Sequence, residues 1–139
     1  MDPRAIFLPD LAMVLLTVVI WLRMYVERSM QMRALRVHPQ KVATAAQMAA
    51  ALPDTRAADN FRNLFEVPVL FYVATVVAHA IGAVDVGTLV IAWIFVGLRY
   101  VHSVIHVTYN QVMHRFGAYV ASCLVLWLLW AKIAIDLLR

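Results

Sequence analysis

Four long apolar stretches dominate the chain, at residues 6–25, 61–81, 86–109 and 116–138. Each supplies the roughly 20 residues that a helix needs to cross a bilayer core. Transmembrane β-strands would be about half as long and would alternate polar with apolar side chains, and residues 11–22 do not alternate. The pattern predicts an all-α membrane protein, a four-transmembrane-helix bundle forming a single domain over residues 1–139.

Between the spans the breakers are easily read. Pro9 and Asp10 sit at interface depth, where the first helix starts in earnest. Arg23 and Glu27, four apart, support a helix that runs past the membrane surface as far as Met32 or Leu35. His38-Pro39 interrupts it, and the alanine-rich residues 41–52 predict a short second helix lying over the membrane face. Residues 28–58 thus form a long loop containing a short helix. Asp54-Thr55 or Asp59 caps the second span, which should bend at Pro68. Gly82-Ala83-Val84-Asp85 makes a tight turn. The short connection after Asn110-Gln111 makes spans three and four antiparallel neighbours, with Gly97 and Gly117 permitting close backbone approach.

Composition supports this reading. The chain is 64% hydrophobic and 14% charged, against roughly 25% charged residues in soluble domains, and its mean hydropathy is +0.79. The first span lacks a basic leading region and a small-residue cleavage site, so it reads as a span and not as a cleaved signal. The net charge of +4 is uneven: Arg28, Arg33, Arg36, Lys41 and Arg56 share the first loop. The positive-inside rule then puts that loop and the turn between spans three and four in the cytoplasm, with both termini outside. No folded basic module is present, which argues against a nucleic-acid role.

The chemistry lies in polar residues inside the spans, which are costly there and ask for partners or a task. Helical spacing lines up Asp59, Arg62, Asn63 and Glu66 on span two, Arg99, His102 and His106 on span three, and Arg115 and Tyr119 on span four. Glu66 lies roughly 9–10 Å in from the start of its stripe and Arg99 about 16 Å from Asn110, so a buried Glu66–Arg99 ion pair is expected. Its role is either to fix helix register or to anchor a ligand cavity. Arg115 enters a helix N-terminus and, with Arg62, suits an anion. Tyr119, one turn deeper, is placed to donate a hydrogen bond or to anchor the helix at the headgroups.

Other candidates carry less. His102 and His106 at i, i+4 with Glu66 do not amount to a metal site without further acids, and no metal is expected. His79 and His114 read as interfacial and His38 as a loop residue. The single Cys123 excludes an internal disulfide and reads as a buried thiol acting as a small hydrophobe.

Arg62-Asn63-x-x-Glu66, Arg99-x-x-His102, Arg115-x-x-x-Tyr119 and Gln31-Met32-Arg33, in this order over four spans, resemble the MAPEG family, the membrane-associated proteins of eicosanoid and glutathione metabolism, in a bacterial-type member. The resemblance implies a homotrimer in a bacterial inner membrane, with glutathione or another low-molecular-weight thiol as co-substrate, held between subunits near the cytoplasmic side. It carries Arg33, Arg62, Asn63, Glu66, His102 and His106 over as the thiol-binding set, and Arg115 and Tyr119 as the catalytic pair. Two positions depart: His106 stands where the prostaglandin E synthase branch has a tyrosine, and Phe116 where it has a serine.

A thiol must ionise to attack, and its ordinary pKa near 8.5 makes nearby cations and donated hydrogen bonds useful. Losing a serine hydroxyl removes one donor, so prostaglandin or leukotriene synthesis is not implied. The expected activity is a glutathione-dependent transferase or peroxidase acting on lipophilic substrates that enter from membrane lipid. The alternative is a non-enzymatic lipid-binding or structural protein of the same fold, since fold does not fix function.

Overall fold

The computed structural model describes residues 2–138. Four helical segments are long and apolar enough to cross a membrane: Pro3–Ala34, Arg56–Ala80, Val86–Val107 and Val112–Leu137. A short turn of 3-10 helix, Pro3–Ile6, is capped by Asp2, whose carboxylate accepts from the Arg4 amide at 2.9 Å, and leads into α1, Phe7–Ala34. The first part of the expected loop, residues 28–34, is therefore still helix. A second 3-10 turn, Pro39–Val42, precedes α2, Ala45–Ala51. The Thr44 hydroxyl accepts from the Gln47 amide at 3.2 Å, and the Gln47 side chain accepts from the Thr44 amide at 3.0 Å. That reciprocal pair starts a helix too short to hold itself otherwise.

The second span departs from the expected bend. It is two helices, α3, Arg56–Asn63, and α4, Val67–Ala80, separated by Leu64, Phe65 and Glu66. Pro68 is in the first turn of α4 and has no N–H for the Leu64 carbonyl, so the ladder stops instead of flexing. Tight turns fill the gap, with the Phe65 amide donating to the Arg62 carbonyl at 3.0 Å and the Val69 amide to the Glu66 carbonyl at 3.2 Å. After Gly82, whose positive φ of 72° suits a residue without a side chain, α5 covers Val86–Val107 and α6 covers Val112–Leu137.

The helices pack around one apolar core in which Phe71 of α4 stacks on Phe95 of α5 at 4.4 Å, both fully buried. Polar ties set the register. The Thr75 hydroxyl donates to Asp10 at 2.9 Å, and the Tyr100 hydroxyl donates to the Ala12 carbonyl at 2.7 Å. Lys132 bridges Asp85 and Asp136 at 2.8 and 2.7 Å. Leu11, Leu15, Val19 and Leu22 remain exposed along α1, as a lipid-facing surface should be. Gly97 and Gly117 do not serve close approach within the protomer, because a Cβ at either position would meet nothing within 4 Å.

The loop after α1 is docked by polar contacts. Gln31 donates to the Asp54 carbonyl at 2.9 Å and accepts from its amide at 3.0 Å. The Asp54 carboxylate takes the Arg56 guanidinium at 2.6 Å, and that hydrogen bond, against a smaller opposing effect of burial, lowers its pKa to about 2. Arg56 also donates to the Thr108 carbonyl, and Arg23, paired with Glu27 at 2.6 Å, donates to the Val107 carbonyl at 2.6 Å. Two arginines thus satisfy carbonyls that the end of α5 leaves without partners.

Candidate functional site

A cavity of about 430 Å³ opens where α3, α5 and α6 meet. Its wall takes Asp59, Arg62 and Asn63 from α3, Glu66 from the break, His102 and His106 from α5, and Val112, Arg115, Phe116 and Tyr119 from α6. The break lies on the first side of that wall. Helix α3 ends at Asn63, and the turn at residues 64–66 still sets Glu66 beside it, as the i, i+3 spacing would. The Asn63 amide donates to the Glu66 carboxylate at 2.7 Å.

Behind this wall sits Arg99, fully buried on α5. The expected Glu66–Arg99 ion pair is not formed. Arg99 Nη2 instead donates to the Asn63 side-chain oxygen at 2.5 Å and to the Asn63 carbonyl at 3.3 Å. The physical reason is the break: residue 67 does not donate back to the Asn63 carbonyl, which keeps only a long 3.4 Å hydrogen bond from the Glu66 amide and accepts from the guanidinium as well, with the Asn63 side chain beside it. Asn63 becomes the link between Arg99 and Glu66.

The imidazoles are oriented by backbone and ring contacts. His102 Nδ1 lies 3.1 Å from the Arg115 carbonyl; a carbonyl only accepts, so Nδ1 carries the hydrogen. Its ring is 5.6 Å from that of His106 and 5.9 Å from that of Tyr119. Arg115 is aimed by Asn110, whose side-chain oxygen accepts from Nη1 at 2.7 Å. Asn110 itself takes a positive φ of 48° where the chain leaves α5, a conformation that asparagine tolerates. Sequence reasoning used Asn110 only as a span end and missed this contact; an asparagine at a helix end beside a stripe of cations is the signal that was there to find.

The fold thus brings seven of the expected residues to one cavity: Arg62, Asn63, Glu66, His102, His106, Arg115 and Tyr119. Arg33 is not with them. It lines a separate hollow with Ser29, Met32, Val37 and Pro39. Asn60, not anticipated, is fully buried and accepts from the Ser103 hydroxyl at 3.2 Å, tying α3 to α5. Among the described residues no group of three or more His, Cys, Asp or Glu side chains converges to hold a metal ion. Cys123 is half-buried, not sequestered in the core. His79 packs on Phe7 at 4.9 Å, His114 lies 3.3 Å from the Tyr109 hydroxyl, and His38 caps a loop turn through the Gln40 amide.

These features define an integral four-span membrane protein with a polar cavity set into its apolar bundle. The chain matches the profile of the MAPEG family over residues 6–135, and it belongs to that family. Comparison with curated proteins and with solved structures gave no significant match.

Proposed function

We propose that this protein is a glutathione-dependent transferase or peroxidase for lipophilic, membrane-borne substrates. The observation that carries the reading is the convergence of Arg62, Asn63, Glu66, His102, His106, Arg115 and Tyr119 on one open cavity within an apolar bundle. Glutathione, or a related small thiol, has carboxylates for Arg62 and an ammonium for Glu66. Arg115 and the Tyr119 hydroxyl favour negative charge on its sulfur, which is where charge must gather before attack on an electrophile. The Asn110 contact holds Arg115 in place for that task, so little reorganisation accompanies ionisation.

The same reading includes a homotrimer in a bacterial inner membrane, with both termini outside and the cavity toward the cytoplasm. The basic loop supports the orientation. Arg33, lying apart from the protomer's own cavity, supports a site completed by a neighbouring copy. The test is calorimetry of the purified protein with glutathione and with its S-hexyl derivative. Binding at millimolar concentration or tighter is expected. If no small thiol binds, the enzymatic reading falls.

One observation favours the lipid-binding alternative. A second hollow of about 390 Å³, lined by apolar side chains such as Leu15, Leu16, Val19, Ile20 and Val104, runs between α1 and α5. It can take an acyl chain whether or not the polar cavity does any chemistry.

A further inference from the structure

Arg115 stands at a loose point of the fold. Its amide donates to the Gln111 carbonyl at 3.0 Å, the bond that closes the first turn of α6 after the connection at residues 108–111. The first turn of a helix is its weakest, because its leading amides have no ladder partner. Two contacts from the α5 side take up that freedom. Asn110, whose own amide is tied to the Ile105 carbonyl at 2.8 Å, accepts from Arg115 Nη1 at 2.7 Å. His102 Nδ1 donates to the Arg115 carbonyl at 3.1 Å. That oxygen has two lone pairs, so it takes the imidazole bond beside the helical one from the amide four residues on. The arginine is thus gripped at its main chain and at its tip, both times from α5.

His102 keeps nothing for a ligand. Nδ1 is spent on the carbonyl, and Nε2 is buried without a hydrogen-bond partner. The residue is 3% exposed, so it borders the cavity without offering it a nitrogen. Its ring lies 5.9 Å from that of Tyr119 and 5.6 Å from that of His106. One imidazole therefore touches the main chain of Arg115 and the ring of Tyr119. We propose that His102 is a positioning residue for the thiol chemistry, acting through Arg115 and not on the thiol. This rests on the proposed function, in which Arg115 meets the charge that gathers on sulfur. A donor stabilises developing charge best when it is already in place, and a misplacement of about 1 Å can cost about 10²-fold in rate. Arg62 and Glu66 hold the rest of the thiol compound without help from His102, so the loss belongs to kcat and not to binding.

The test compares three substitutions in full-length protein in lipid nanodiscs, with glutathione and a lipophilic aryl halide. Asparagine puts an amide N–H near the place of Nδ1, glutamine reaches to the place of Nε2, and leucine keeps bulk alone. His102→Leu is expected to lower kcat about tenfold. Its glutathione affinity by calorimetry should stay within about twofold of the wild type, while the ultraviolet absorbance of the bound thiolate falls. His102→Asn should recover most of the rate, and His102→Gln should behave like His102→Leu. In an Arg115→Ala background His102→Leu should lower kcat no further, since a residue that acts through Arg115 has nothing left to act on. Activity retained by His102→Gln and lost in His102→Asn overturns the proposal, because Nε2 would then be the nitrogen in use. A fall in affinity at unchanged kcat, or a full further loss in the Arg115→Ala background, overturns it as well. Calorimetry and turnover of the wild type come first. No glutathione binding there brings down the proposed function and this role together, whereas a wild type that binds and turns over leaves the variants to judge His102 alone.

Discussion

The side-chain oxygen of Asn63 accepts a 2.5 Å hydrogen bond from Nη2 of Arg99, while the amide nitrogen of the same side chain donates to Glu66 at 2.7 Å. One carboxamide therefore stands between a buried cation and a carboxylate that faces the cavity. Charge is balanced across the bundle without direct contact of the ions. The break after α3 contributes, since it leaves the Asn63 carbonyl without a helical donor at residue 67 and 3.3 Å from the same guanidinium.

Asn63→Ala should then be more damaging than Glu66→Gln. It removes the partner of a buried guanidinium, and hydrogen bonds to charged groups contribute about 1.5–3 kcal/mol. Glu66 is exposed at the cavity wall, and its neutral isostere should cost under about 1 kcal/mol. Heat-induced aggregation of the detergent-solubilised protein ranks the two. Equal losses would show that Glu66 balances Arg99 as much as Asn63 does.

Pro68→Ala should partly repair the second span. It restores a donor for the Leu64 carbonyl, so continuous helix across residues 63–67 becomes available. Continuity gives the Asn63 carbonyl a helical donor at residue 67 and draws it away from Arg99 behind the cavity wall. Helix content by circular dichroism should stay level or rise, while thiol binding by calorimetry weakens about tenfold or more. Unchanged binding would mean that the break has no part in shaping the site.

Helical stripes were legible because a helix's period is a local property. Arg62 and Asn63, or His102 and His106, keep their places on a face wherever the helix goes, and Glu66, although it falls in the break, still lines the same cavity. The partner of Arg99 was not legible, because a depth counted along two helices is good to about a turn and cannot separate residues three apart. Pro68 was read as a bend; whether a proline bends or breaks a helix depends on the tertiary contacts around it, and here Arg99, distant in sequence, holds the Asn63 carbonyl beside the break. The direction of Arg33 was equally hidden, since its position past the membrane surface leaves no lipid-facing pattern to orient it.

The loop dock should be acid-sensitive. The Arg56 hydrogen bond lowers the Asp54 pKa to about 2, below its unfolded value of roughly 3.9. A depressed carboxylate contributes stability that is complete above the unfolded pKa and is lost as pH falls toward the folded one. Hydrogen exchange of residues 44–56 should therefore accelerate between about pH 4 and pH 2, and Asp54→Asn should show the faster exchange already at neutral pH. The pair is partly exposed, so salt should weaken it too. Exchange that is flat across that window would detach Asp54 from the docking of the loop.

Arg115 and Arg62 should separate chemistry from binding. Arg115, held by Asn110, is assigned to charge that grows on sulfur, and loss of such a donor typically costs about 10²–10³ in kcat. Arg62, exposed at the cavity mouth, holds a carboxylate equally in ground and transition states, so Arg62→Ala should raise KM with kcat little changed. Steady-state kinetics with glutathione and a lipophilic aryl halide resolve the two. Asn110→Ala should repeat part of the Arg115 defect, because it frees the guanidinium without removing it. Matching KM effects from Arg115→Ala and Arg62→Ala would leave Arg115 with no role beyond binding.

Arg33 should act on a neighbour's cavity. In its own protomer it lines a hollow with Met32 and Pro39, apart from Arg62 and Arg115. A homotrimer makes a specific demand that a monomer does not. Arg33→Ala and Arg115→Ala complexes should each be deficient alone. Co-expressed and purified by two different tags, mixed trimers should regain part of the activity, because an interface between an Arg33→Ala protomer that supplies Arg115 and an Arg115→Ala protomer that supplies Arg33 is intact. Native mass spectrometry reports the subunit number on the same sample. A stable monomer, or mixed complexes no more active than their parents, would leave Arg33 as a surface cation of the basic loop and the cavity as the work of one chain.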